Sequence, residues 1–220
     1  TDDVNRPAAL LWLGKAHLKR GETDPARAAV QEAAAAAPDQ YYGLRAGEIA
    51  ATLQTPGTPS PGYDPQQAQD DEDDIEAWLA DWLALEDAED VGRLSPQLSA
   101  DGRLRRGREL WRLCRFQEAK QELEALRVET YSSPLDQYQL ALTYADLGLY
   151  RSSILAAWRV MGLSPITRTL DAPRQLLRLA YPTYYENLVM ENARETGLDP
   201  LLIFSLIRQE SLFESLATSS

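Results

Sequence analysis

The residue types that build most metal and redox sites are nearly absent: the 220-residue chain has one cysteine, Cys114, and one histidine, His17. A single thiol excludes an internal disulfide and a cysteine-rich zinc site, and a single imidazole excludes a histidine-based one. Both are expected as core-packing side chains. Positive charge is short as well, with 22 Lys and Arg against 34 Asp and Glu and a net charge of −12. Phosphate backbones are bound through clustered Lys and Arg that release counterions, so nucleic acid is not an expected partner. No apolar run approaches the ~20 residues of a membrane span; the longest, Leu201 to Ile207, is interrupted by Ser205. Thr1-Asp2-Asp3 is no signal peptide, and a chain starting without Met reads as a mature product or an excised piece, so composition leaves the compartment open.

What is present is enough for a core. Hydrophobic residues make up 44% of the chain, with five Trp and ten Tyr, which argues against wholesale disorder. From Thr55 to Pro65 four prolines and two glycines crowd together, a density that neither helix nor central strand tolerates. The acidic run Asp70 to Asp74 follows. A calcium loop starting at Asp70 would need Gly where Ile75 stands, so the run reads instead as negative charge gathered at a helix start, where the macrodipole favours it. That helix carries Ile75, Trp78, Leu79, Trp82, Leu83 and Leu85 at three- and four-residue spacing.

The remainder also has helical periodicity, and its small residues recur. Leu13-Gly14, Ala26, Val30, Ala33 and Pro38 fit the 34-residue tetratricopeptide pattern, with His17 where that pattern usually has Tyr. A further register runs through Ala141, Tyr144, Gly148, Tyr150, Ser153 and Pro165, and one repeat earlier lie Gly107 and Ala119. Small residues let paired helices approach closely, and each pair buries its apolar face by stacking on the next. The expected fold is all-α: helical repeats over 1–53, a Pro-rich, acidic linker over 54–74, further repeats over 75–170, and a different helical region from 171 to 220.

In that last region Asp171 can cap a helix through Leu176, Leu177 and Leu179; Pro182 ends it and can open another, Tyr184 to Thr196, stopped by Gly197. Asp199-Pro200 then forms an N-cap and first helical position for a helix reaching Phe213. Glu210 lies on its apolar stripe with Ile203, Leu206 and Ile207. Two readings stand on spacing alone. Glu210 lies at a core edge, reaching solvent or an Arg of another helix, or it is a desolvated carboxyl with a raised pKa, poised as a general acid. Glu214, beside Ser211 and Ser215, is expected as a solvated residue.

The segments Leu179-Ala180-Tyr181-Pro182, Ala193-Arg194-Glu195-Thr196-Gly197-Leu198-Asp199-Pro200 and Ile207-Arg208-Gln209-Glu210-Ser211, with Phe213, resemble the opening of the catalytic domain of soluble lytic transglycosylases. Trp12-Leu13-Gly14 and Tyr41-Tyr42-Gly43-Leu44 resemble that family's superhelical amino-terminal region of tetratricopeptide-like helix pairs. The resemblance implies a lysozyme-like domain beginning near residue 171. It implies Glu210 as the single catalytic acid/base, Ser211 as a hydrogen-bonding residue near the substrate, and peptidoglycan glycan strands as partner. It also implies an extracytoplasmic location in the periplasm or cell envelope. No metal or organic cofactor is implied. The family's domain continues into Gly-Leu-Met-Gln and Ala-Tyr-Asn stretches that complete the glycan groove, so the 220 residues are expected to be incompetent alone. A reading from another class is a non-catalytic helical-repeat module that grips a protein or an extended ligand. It accounts for residues 1–170 equally well and leaves the Gln-Glu-Ser helix unexplained.

Overall fold

The computed structural model of the protein describes residues 5–54, 75–85 and 91–217. The Pro-rich segment from Thr55 and the acidic run 70–74 lie outside these residues. Among the described residues the chain is all-α, with twelve α-helices and one short 3₁₀ turn and no strand. It forms two compact units, residues 1–62 and 63–220.

The first unit holds α1 (Arg6–Lys19), α2 (Thr23–Ala36) and α3 (Tyr41–Gln54). Its core is Leu11, Val30, Ala33, Ala46 and Ala50. A Cβ on Gly14 would come within 2.5 Å of the Val30 Cγ1, so the α1–α2 contact requires the missing side chain. Arg6 pairs with Glu32 at 2.5 Å across the same two helices. His17, expected in the core, is half-buried and its Nδ1 lies 2.5 Å from Glu22 Oε2 at the turn.

The second unit contains α4 (Ile75–Leu83), α5 (Pro96–Ala100), α6 (Gly102–Arg112), α7 (Phe116–Glu129), α8 (Pro134–Asp146), α9 (Tyr150–Leu163), α10 (Arg174–Ala180), α11 (Glu186–Thr196) and α12 (Pro200–Ser211). Within this unit α6 pairs with α7 and α8 with α9 as helix hairpins, and within the first unit α1 pairs with α2. A Cβ on Gly107 would meet Leu123 Cγ at 2.6 Å. In the next hairpin Ser153 donates its hydroxyl to the Ala141 carbonyl at 2.8 Å. The two hairpins join through Leu104, Leu123, Leu126, Leu140 and Tyr144, and the Tyr144 hydroxyl donates to the Leu123 carbonyl at 2.7 Å. Burial raises the pKa of that phenol far above its ordinary value. Helix α4 lies in a second cluster with Tyr138, Ala156, Val160 and Leu176. Buried Gln139 braces the adjoining loop, donating to the Val91 carbonyl and accepting from the Ser95 N–H.

All three hairpins turn the same way. One residue takes a left-handed conformation, and the next N–H reaches back to a carbonyl five residues earlier: Glu22 to His17, Arg115 to Leu110 and Leu149 to Tyr144, at 2.8–3.0 Å. Gly21 and Gly148 occupy the left-handed position in two of them, both at φ 76°, and Cys114 occupies it in the third at φ 58°. Cys114 is therefore exposed at a turn, a correction to its expected place in the core. Its position follows from backbone geometry, which the packing preference of a thiol does not report.

A non-glycine residue in this region costs roughly 1–2 kcal/mol, and glycine gives back roughly 0.5–1 kcal/mol through the unfolded chain. Cys114→Gly is thus expected to stabilise the second unit by about 0.5–1 kcal/mol, read as a higher urea midpoint at unchanged m-value.

Candidate functional site: the α12 helix and its exit

Local sequence sets both ends of the segment entering α12. Helix α11 stops at Gly197, whose φ is 69°. Asp199 Oδ1 accepts the Leu201 N–H at 2.9 Å, and Pro200 occupies the first helical position, as the sequence predicts. Further upstream the outcome differs. Asp171 closes a 3₁₀ turn, Thr169–Asp171, and α10 begins after Pro173 without a side-chain cap.

Helix α12 buries Phe204 and half-buries Ile203 and Ile207, while Leu202 and Leu206 remain about half exposed. Glu210 lies in the last turn and is exposed. The apolar stripe is thus real but covered on one side only among the described residues, by Ile154 of α9 and Val189 of α11. The desolvation expected around the Glu210 carboxyl is not supplied by these neighbours. Ser211 Oγ donates to the Ile207 carbonyl at 3.2 Å, an i−4 back-bond within the helix.

The helix ends two residues before the expected Phe213. Leu212 and Phe213 both have left-handed φ, 52° and 59°, and the Glu214 N–H closes a turn on the Ser211 carbonyl at 3.1 Å. Phe213 is 1% exposed. Its ring meets Tyr184 edge-on at 5.7 Å and Tyr185 at 6.4 Å, and Tyr184 stacks on Tyr150 of α9 at 3.7 Å. Burial raises the phenol pKa of Tyr184 and of Tyr185. Glu214 corrects a second expectation. Its side chain is only 16% exposed, and Oε2 pairs with Lys120 Nζ of α7 at 2.8 Å. Oε1 accepts the Leu216 N–H at 3.3 Å.

Arg208 holds the other flank. Its guanidinium donates to the Ala180 carbonyl at 3.4 Å and lies over the rings of Tyr181 and Trp158, 4.6 and 5.7 Å from their centroids. Burial raises the Tyr181 phenol pKa, and the Arg208 charge opposes that rise. Sequence reasoning missed Lys120 and the roles of Arg208 and Glu214. Periodicity marks the apolar face of one helix and carries no signal for an ion pair with a helix far away in the chain.

A cavity of about 390 Å³ lies elsewhere, lined among others by Leu85, Val91, Leu94, Pro96, Leu135 and Gln139, and includes no residue of α12. Among the described residues no group of three His, Cys, Asp or Glu could hold a metal ion, and no helix is long and apolar enough to cross a membrane. No protein-family model, curated protein or solved structure matches the chain.

One buried ring, Phe213, packs the exit from α12. Phe213→Ala is expected to cost about 3–5 kcal/mol, because it removes a fully buried aromatic between Tyr184 and Tyr185 and leaves a cavity. Urea unfolding measures this, and a loss below about 1 kcal/mol would mean the ring contributes little to the fold.

Proposed function

We propose that this chain belongs to a peptidoglycan lytic transglycosylase, with Glu210 as its single acid/base and a location outside the cytoplasm. The observation that carries the proposal is a contact between two separated parts of the resemblance. The Ala180-Tyr181 segment is joined to the Arg208-Gln209-Glu210 helix by the Arg208 guanidinium, which donates to the Ala180 carbonyl and covers the Tyr181 ring. Segments that resemble one family's motifs in order also meet in space. Their meeting leaves the Glu210 carboxyl open to solvent at the helix end, where a glycan can approach.

Most glycosidases flank the scissile bond with two carboxyl groups. In the proposed reaction one serves twice. Protonated Glu210 gives its proton to the glycosidic oxygen as the bond from the N-acetylmuramic anomeric carbon breaks, and the N-acetylglucosamine part leaves as an alcohol. The muramic 2-acetamido group is available as an internal nucleophile at that carbon. Glu210, now a carboxylate, takes the proton of the muramic 6-hydroxyl as that oxygen closes on the anomeric carbon. The product is a 1,6-anhydro sugar, no water is consumed, and the acid is regenerated. Ser211 is proposed to hydrogen-bond near the substrate once its back-bond to Ile207 is released.

In the full-length polypeptide, Glu210→Gln is expected to retain the fold and to lower the release of 1,6-anhydromuropeptides from purified peptidoglycan by at least about 10⁴-fold, because an amide can neither donate nor recover the proton. A Glu210→Gln variant keeping a tenth of the activity would remove this residue from the acid/base role.

A further inference from the structure

A general acid works only within hydrogen-bond reach of its oxygen, about 2.6–3.2 Å, and a displacement of about 1 Å can cost 10²-fold in rate. Glu210 is the penultimate residue of α12, in a turn of the kind that frays. The turn is followed by Leu212 and Phe213, two successive non-glycine residues in left-handed conformations. Such backbone persists only where its surroundings over-determine it. Two contacts do so here. Phe213 is locked among the tyrosines, and directly after it Glu214 reaches Lys120 on α7. Both partners of this ion pair are largely shielded, at 19% and 16% side-chain exposure, so solvent and salt screen it less than an exposed pair. Helix α7 belongs to the repeat hairpins, not to the segment that carries the acid.

We propose that Lys120 and Glu214 are positioning residues for Glu210: a clasp through which the helical repeats hold the last turn of α12 in register with the substrate. The inference rests on the acid/base reading of Glu210. It gives the repeats a part in the chemistry separate from any grip on a partner. Removing one charge leaves the other half-buried without its counterion, and the exit of α12 loosens, so the carboxyl samples positions out of reach of the glycosidic oxygen. Substrate contacts made elsewhere are unaffected.

The test uses the full-length polypeptide and two readouts. In Lys120→Met and in the nearly isosteric Glu214→Gln, kcat on purified peptidoglycan is expected to fall about tenfold to hundredfold with KM within about a factor of two, a split that marks loss of transition-state alignment and not of binding. Lys120→Arg is expected to restore most of kcat. The double variant is expected to be no worse than either single one, because both remove the same interaction. Amide hydrogen exchange should speed up across residues 209–214 and stay unchanged in α8 and α9, which separates a loosened helix end from general unfolding. If Lys120→Met unfolds the protein, Glu214→Gln carries the same readouts. Unchanged exchange at 209–214, or unchanged kcat in both variants while Glu210→Gln is inactive, would overturn the clasp and leave the acid/base reading intact. Activity retained in Glu210→Gln would overturn that reading and the positioning role with it, whatever exchange reports about the ion pair.

Discussion

Close approach of paired helices, possible only where a side chain is missing or small, is the constraint on which the rest of this structure depends. Gly14 against Val30 and Gly107 against Leu123 leave no room for a methyl group. Ser153 meets Ala141 closely enough for its hydroxyl to reach a helix carbonyl. Once two helices are this close, their outward apolar residues form a face too large to leave in water, and the next hairpin covers it. The core of Leu104, Leu123, Leu140 and Tyr144 is that coverage between α6–α7 and α8–α9.

Helices α10 to α12 use the same array as a foundation. Val189, Phe204 and Phe213 pack on Ile154 of α9, Arg208 reaches the ring of Trp158, also on α9, and Glu214 reaches α7. Aromatic, cationic and ionic contacts thus join α10 to α12 with α7 and α9 inside the compact unit of residues 63–220.

The surroundings of Glu210 follow from the same arrangement. Packing takes the Phe204 side of α12, leaving the Leu202 and Leu206 side and the Glu210 carboxyl exposed. Glu210 is therefore exposed at the end of a helix that is anchored elsewhere by Phe204, Phe213 and Arg208. It differs from a buried acid, whose charge would need compensation within the fold.

Several features were legible in the sequence by itself because they depend on neighbours a few residues apart. The helix periodicity, the Asp199-Pro200 start and the Gly197 stop all act within one or two turns, and each appears where its local chemistry requires. Tertiary structure alone decided which side of an apolar stripe finds a partner, so Glu210 lies in solvent although Ile203 and Ile207 share its face. It also decided the fate of Glu214. Its neighbours in sequence are polar, yet two left-handed residues redirect the chain and carry it to Lys120. Cys114 is the same lesson at a turn: its composition class suggests burial, while the repeat geometry needs a left-handed residue there, and backbone conformation prevails over side-chain preference.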